Sequence, residues 1–159
     1  MSKENRRRSR PKADLVSANL LATNMTSADL TNANLAMADL YRANLTLANL
    51  TRADLTGALL TGADLTGANL TDAHVRSVNL TIASLTGANL FKADLISANL
   101  TGANLADASL SRADLSGADL TGADLTGATL ISTNLTGAKF HRANLTDVVG
   151  ADFTGAILE

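Results

Sequence analysis

One spacing governs what this chain can fold into: an apolar residue, nearly always leucine, returns at every fifth position from Leu15 to Leu145. With the leucine called position i, that register holds 27 units, and only Met25, Val75 and Phe140 depart from leucine. Position i−2 is alanine in 24 of them, the exceptions being Thr23, Val78 and Thr133. Position i−1 is Asp or Asn in 21, i+1 is mostly Thr, and ten of the eleven glycines stand at i+2 when Gly155 in the tail is included. Residues 56–70 show the unit undisguised as three consecutive Thr-Gly-Ala-x-Leu blocks.

Period five suits neither standard element. On an α-helix, at about 100° per residue, successive leucines would step about 140° and scatter around the cylinder. On a straight strand an odd spacing sends alternate leucines to opposite faces. A chain that turns a corner every five residues satisfies the pattern, with i and i−2 inward and i−1, i+1 and i+2 outward. Glycine at i+2 fits a corner that needs positive φ or close backbone approach.

The unit Ala-(Asp/Asn)-Leu-x-x resembles the consensus of the pentapeptide-repeat proteins, from Ala13 to Leu145 and again around Phe153. That resemblance implies an all-β fold, a right-handed, quadrilateral parallel β-helix (a solenoid) with four pentapeptides per coil. At about 4.8 Å per stacked strand, six to seven coils make a rod about 30 to 35 Å long.

The chain divides accordingly into a basic arm at 1–12, read as disordered, a solenoid at 13–145, and a register break at 146–159. The arm carries six Lys or Arg and one Glu, net +5, whereas residues 13–159 hold seven basic and fourteen acidic side chains, net −7. The arm reads as a solubilising tail that guards the first coil's open strands, or else as a ligand for a polyanion or a nuclear address. No apolar run approaches the roughly 18 residues of a membrane span. Without cysteine there is no disulfide framework or thiolate metal site, and a cytoplasmic location is the default.

Catalytic and cofactor readings find no support. Asp54, His74, Asp94 and Asp114 form one expected ladder at i−1, and Arg52, Asp72, Lys92 and Arg112 another at i+2. The first reads as a histidine among carboxylates and the second as alternating surface ion pairs. A solenoid filled by its own leucines offers no concave substrate pocket, so no catalytic, cofactor or metal residue is assigned and the protein is not expected to be an enzyme.

Two surfaces stand out. Counting units modulo four places Leu21, Tyr41, Leu59 and Ile82 on one side, with Met37 and Leu47 on neighbouring sides and Arg42 beside Tyr41. Monomers carry such patches by chance too, but Tyr and Arg are over-represented at interface hot spots, which makes this the candidate partner site. At the other end Phe140, Val148, Val149, Phe153, Ile157 and Leu158 gather where the register breaks. They are expected to cap the last coil or to pair two copies tail to tail, and the resemblance implies the homodimer.

Two functions follow. One is a non-enzymatic scaffold, a rigid rod that binds a protein partner as solenoids do. The other comes from the resemblance: some pentapeptide-repeat proteins mimic B-form DNA and bind DNA gyrase or topoisomerase IV. Duplex DNA carries one charge per about 1.7 Å, so a rod of about 34 Å would need about 20 negative charges to match it. The net −7 of residues 13–159 favours the scaffold.

Overall fold

The computed structural model describes residues 13–159; the arm at 1–12 lies outside the described residues. Among those described there is no helix. Every side is a single parallel bridge at position i−1, joined to the residue 20 positions later, as in Asp54 to His74 and His74 to Asp94. Four five-residue units therefore make each coil, and the coils stack in one register from Asp14 to Val149.

The unit around Leu65 shows why five residues suffice. Leu65 N–H donates to the Ser84 carbonyl of the next coil at 2.7 Å, and Gly67 N–H to that of Thr86 at 2.9 Å. Asp64 N–H donates to Ala43 of the previous coil at 2.9 Å, and Ala63 N–H closes the preceding turn on Leu60 at 3.0 Å. The remaining donor, Thr66 N–H, reaches Asp64 Oδ1 at 2.9 Å. All five backbone donors thus have partners, as buried or turn-bound groups must.

That last bond explains the Asp or Asn of the repeat, which occupies its position as an Asx turn rather than as a merely polar surface residue. In many units the threonine hydroxyl donates to the same oxygen, as from Thr51 to Asn49 at 2.6 Å and from Thr126 to Asp124 at 2.6 Å. Each corner is a four-residue turn with positive φ at i+2, the mark of a type II turn. The condition holds at all corners from Ser17 to Asp147, with or without glycine.

The interior is leucine stacked on leucine and alanine on alanine. Leu65, Leu85 and Leu105 are fully buried, in line with their expected inward stack. Thr133, one of the three non-alanine residues at i−2, is buried and donates its hydroxyl to the Leu110 carbonyl at 2.8 Å. Burial lessens at both ends, where Leu15, Leu20, Met25, Leu145 and Phe153 are only partly covered.

Within the expected break segment 146–159, the register holds as far as Gly150 and then breaks at a shortened corner. Val149 still bridges Thr129, which places Gly150 at a leucine position. The next unit, Ala151-Asp152-Phe153, then begins without its two corner residues. Asp152 resumes the Asx turn to Thr154 at 3.0 Å, and Ile157 bridges Lys139 at a separation of 18 instead of 20.

Candidate functional site

The outer surface of the rod is made by positions i−1, i+1 and i+2, with i+2 at the corners the most exposed of them in most units. Following the chain from 37 to 52 meets four successive corners, here called after Met37, Tyr41, Leu47 and Arg52. The first and third are diagonal to each other, as are the second and fourth.

Five of the residues picked out from the sequence fall on the Tyr41 corner or on the side that leads into it, spread over successive coils. Leu21 and Tyr41 occupy i+1 in successive coils, and Arg42 and Ile82 occupy i+2. The Arg42 guanidinium lies over the Tyr41 ring, 5.1 Å from its centre, a pairing that holds both side chains against the surface. Leu59 sits in the bridge ladder between Asp39 and Asn79, on the side leading into this corner. Leu59 cannot offer the side-chain oxygen that its position usually supplies to the turn, so an apolar group here replaces a structural one. Leu21, Leu59 and Ile82 are about half exposed or more.

Met37 and Leu47 do not join them on one plane. They stand on diagonal corners, each leaning over the glycine of the following coil: a Cβ at Gly57 would lie 2.5 Å from Met37 Sδ, and one at Gly67 would lie 2.8 Å from Leu47 Cδ2. A flat partner that covers Tyr41 can reach one of them and not both.

The C-terminal group also divides. Phe140 is 2% exposed and belongs to the core, so it is not a surface for a second copy. Phe153 packs on it edge to face, 5.4 Å between centres at 89°, and Val148 is likewise partly buried against the core. Val149, Ile157 and Leu158 are exposed. Ile131, not singled out from the sequence, joins this end by leaning onto Gly150.

The predicted i−1 ladder of Asp54, His74, Asp94 and Asp114 is present as a continuous run of parallel bridges. Asp94 is paired with Arg76, and Asp114 accepts from the Asn134 amide at 3.1 Å. Burial alone would raise the Asp114 carboxyl, but donors from Ser116 and Asn134 and the nearby Arg76 charge hold it below the ordinary value. The i+2 ladder behaves differently from a row of ion pairs. Arg52 and Asp72 do pair, at 3.8 Å, whereas Lys92 and Arg112 both turn to the Phe91 ring, 5.5 and 5.8 Å from its centre. Phe91 was missed in the sequence; its place at i+1, immediately before Lys92 and one coil from Arg112, was the available signal. No group of side chains suited to hold a metal ion is found among the described residues. Among them, too, no helix is long and apolar enough to cross a membrane.

Comparison with known proteins agrees with this geometry. The family model for pentapeptide repeats matches in eight copies, over residues 12–46, 48–87, 68–107, 83–122, 108–147 and 123–159. Among solved structures, HetL from the cyanobacterium Nostoc sp. strain PCC 7120, a pentapeptide repeat protein involved in heterocyst differentiation regulation, is 38% identical. The match covers 93% of this chain and 69% of HetL, with a TM-score of 0.48. The pentapeptide repeat protein alr5209 of Nostoc PCC 7120 is 39% identical over 60% of this chain and 84% of its own, with a TM-score of 0.52. Rfr23 from the cyanobacterium Cyanothece 51142 is 26% identical over 82% and 91%, with a TM-score of 0.51. No sequence among the curated proteins matches. With its five-residue register from Asp14 to Val149, four-unit coils and repeat-model matches between residues 12 and 159, the chain belongs to the pentapeptide-repeat family and has its right-handed, four-sided β-helix.

Proposed function

We propose that this protein is a non-enzymatic scaffold that binds a protein partner through the Tyr41 corner. The observation that carries the reading is the apolar cluster of Leu21, Tyr41, Leu59 and Ile82, with Arg42 stacked on Tyr41, on a rod whose corners are otherwise dressed mainly in Thr, Ser and Gly. An aromatic and an arginine pre-ordered against each other lose little side-chain freedom on binding, which suits an interface anchor. The interior is filled by leucine and alanine, so a partner is met on the outside. Pairing of two copies through Val149, Ile157 and Leu158 belongs to the same reading, and would present two Tyr41 corners per assembly.

The test uses the intact chain as bait in lysate of its source cell, beside a Tyr41→Ala, Arg42→Ala variant and a Thr121→Ala, Thr126→Ala variant from the smooth coils. The expected result is one partner retained by the parent and by the Thr variant and lost by the Tyr41 variant, whose melting temperature matches the parent's. Equal retention by all three would refute the corner. Purified DNA gyrase is added as competitor; displacement of the partner by gyrase, or direct capture of gyrase, would favour the DNA-mimic alternative.

A further inference from the structure

Three corners of the rod carry glycine at i+2 in some of their coils, and the fourth carries none. Asn32, Arg52, Asp72, Lys92, Arg112 and Ser132 stand there in six successive coils, with φ between 54° and 61°. Backbone of this kind favours glycine, and side chains kept there against strain are a mark of functional surfaces. Ion pairing gives no adequate return. Arg52 is well exposed, Asp72 partly so, and the two are 3.8 Å apart, a weak arrangement, while Lys92 and Arg112 face Phe91 instead of Asp72.

The edge also has relief. An open depression of about 490 Å³ is walled by Arg52, Asp72, His74, Lys92 and Asp94 among others, and Asp94 is already neutralised by Arg76. Three cations against one anion give this corner column itself a net positive charge on a rod of net −7, while Asp54, Asp94 and Asp114 on the adjoining side turn their carboxylates to the amides of the following corner. We propose that the column is a docking strip for a short acidic segment of a partner protein, laid along the rod axis.

The spacing suits such a segment. Arg52 and Lys92 are two coils apart and Arg112 is one coil farther, so the cations span about 14 Å at about 4.8 Å per coil. Carboxylates on one face of an extended chain repeat every 6.5 to 7 Å or so, and four or five residues bring two or three of them to the strip. An arginine fork binds one carboxylate through two parallel hydrogen bonds, and Phe91 offers an apolar seat beside Lys92 and Arg112. A long polyanion such as nucleic acid is disfavoured, because beyond this short strip it would lie against a surface with an excess of aspartate. The strip is diagonal to the Tyr41 corner, so both can be occupied at once.

The experiment uses the full chain with Arg6, Arg7, Arg8 and Arg10 changed to Ser, which removes the arm's own attraction for acidic peptides. A fluorescein-labelled peptide of five Glu-Gly repeats is titrated by anisotropy at low salt. The Arg52→Gly, Lys92→Gly, Arg112→Gly variant should bind at least tenfold more weakly and melt no lower, since glycine suits these corners. The matching triple glutamine variant, which keeps the side-chain stems, should show the same loss. A Tyr41→Ala, Arg42→Ala variant should bind the peptide like the parent, so failure here and failure of the Tyr41 reading are separable. Affinities of either triple variant within twofold of the parent, no binding by the parent at millimolar protein, or tighter binding of an oligothymidylate of equal charge would each overturn the proposal.

Discussion

At the scale of single residues, the corners expose a cost that the repeat spreads unevenly. Positive φ is unfavourable for any residue with a Cβ, by about 1 kcal/mol, yet many corners hold Ser, Asp, Arg or Lys. Gly87 and Gly150 separate the two components of that cost. Both have positive φ, but a Cβ at Gly87 would meet nothing within 4 Å, whereas one at Gly150 would lie 2.5 Å from Ile131 Cγ1 and 3.3 Å from Ile131 Cα. Gly87→Ala is expected to cost about 1 kcal/mol, from backbone strain alone. Gly150→Ala should cost at least twice as much, because a backbone atom cannot swing aside. Chemical denaturation of the two variants checks the order, and equal midpoints would show that the last coil gives way freely.

The next scale is the coil and its Asx turns. Asp64, Asp119 and Asp124 have carboxyls held below the ordinary range, chiefly by the hydroxyl and then the amide of Thr66, Thr121 and Thr126. A folded value below the unfolded one means that the unfolded chain takes up protons first as pH falls. This stability is therefore present above the unfolded carboxylate value of about 3.9 and is lost as pH drops through the lower folded values. The expected melting temperature is flat from pH 7 to about 5 and falls below about 4. Changing all three aspartates to Asn keeps the acceptor oxygen and removes the proton, so the variant should melt close to the parent at pH 7 and lose less at pH 3. An undiminished acid loss in the variant would show that these carboxylates do not carry it.

Much of the coil was legible in the sequence. The five-residue spacing decides side-chain direction, and a partner 20 positions away follows from counting, which is why Leu85 and the His74 ladder fall where expected. The reason for Asp or Asn at i−1 was not legible, because it depends on one amide turned outward at the corner. Nor was the choice of Lys92 between Asp72 and Phe91, since both lie within reach and periodicity does not weigh a ring against a carboxylate. The form of the break was not legible either, because a missing corner and an added segment both displace the leucine phase; the bridge from Thr129 to Val149 distinguishes them.

For the whole molecule, the C-terminal coil is where exposed apolar side chains gather. Val149, Ile157 and Leu158 leave apolar surface exposed on the last described coil. Self-association through this end would be two-fold and closed, a common solution for a symmetric pair. Val149 and Ile157 occupy i−1, where Asp or Asn is the usual residue, so Val149→Asp, Ile157→Asp alters the surface and leaves the stack intact. Sedimentation equilibrium at micromolar concentration should give the parent twice the 16.3 kDa chain mass and the variant the single mass. A monomeric parent would make the segment a cap alone, and a dimeric variant would move the interface elsewhere.

The closed donor scheme of the five-residue unit has a consequence for how such a rod can change. Any insertion of five residues preserves every backbone bond, since the new unit supplies and uses the same number of groups. It also turns everything downstream by a quarter revolution. Placed after Leu70, it would move Lys92 and Arg112 off the edge that holds Arg52, while a 20-residue insertion would slide them along that edge and keep their bearing. The core thus tolerates both changes alike, and only the outer surface distinguishes them. Length in this architecture is a translation, bearing is a rotation, and any partner that reads two coils at once restricts duplication to whole revolutions between them.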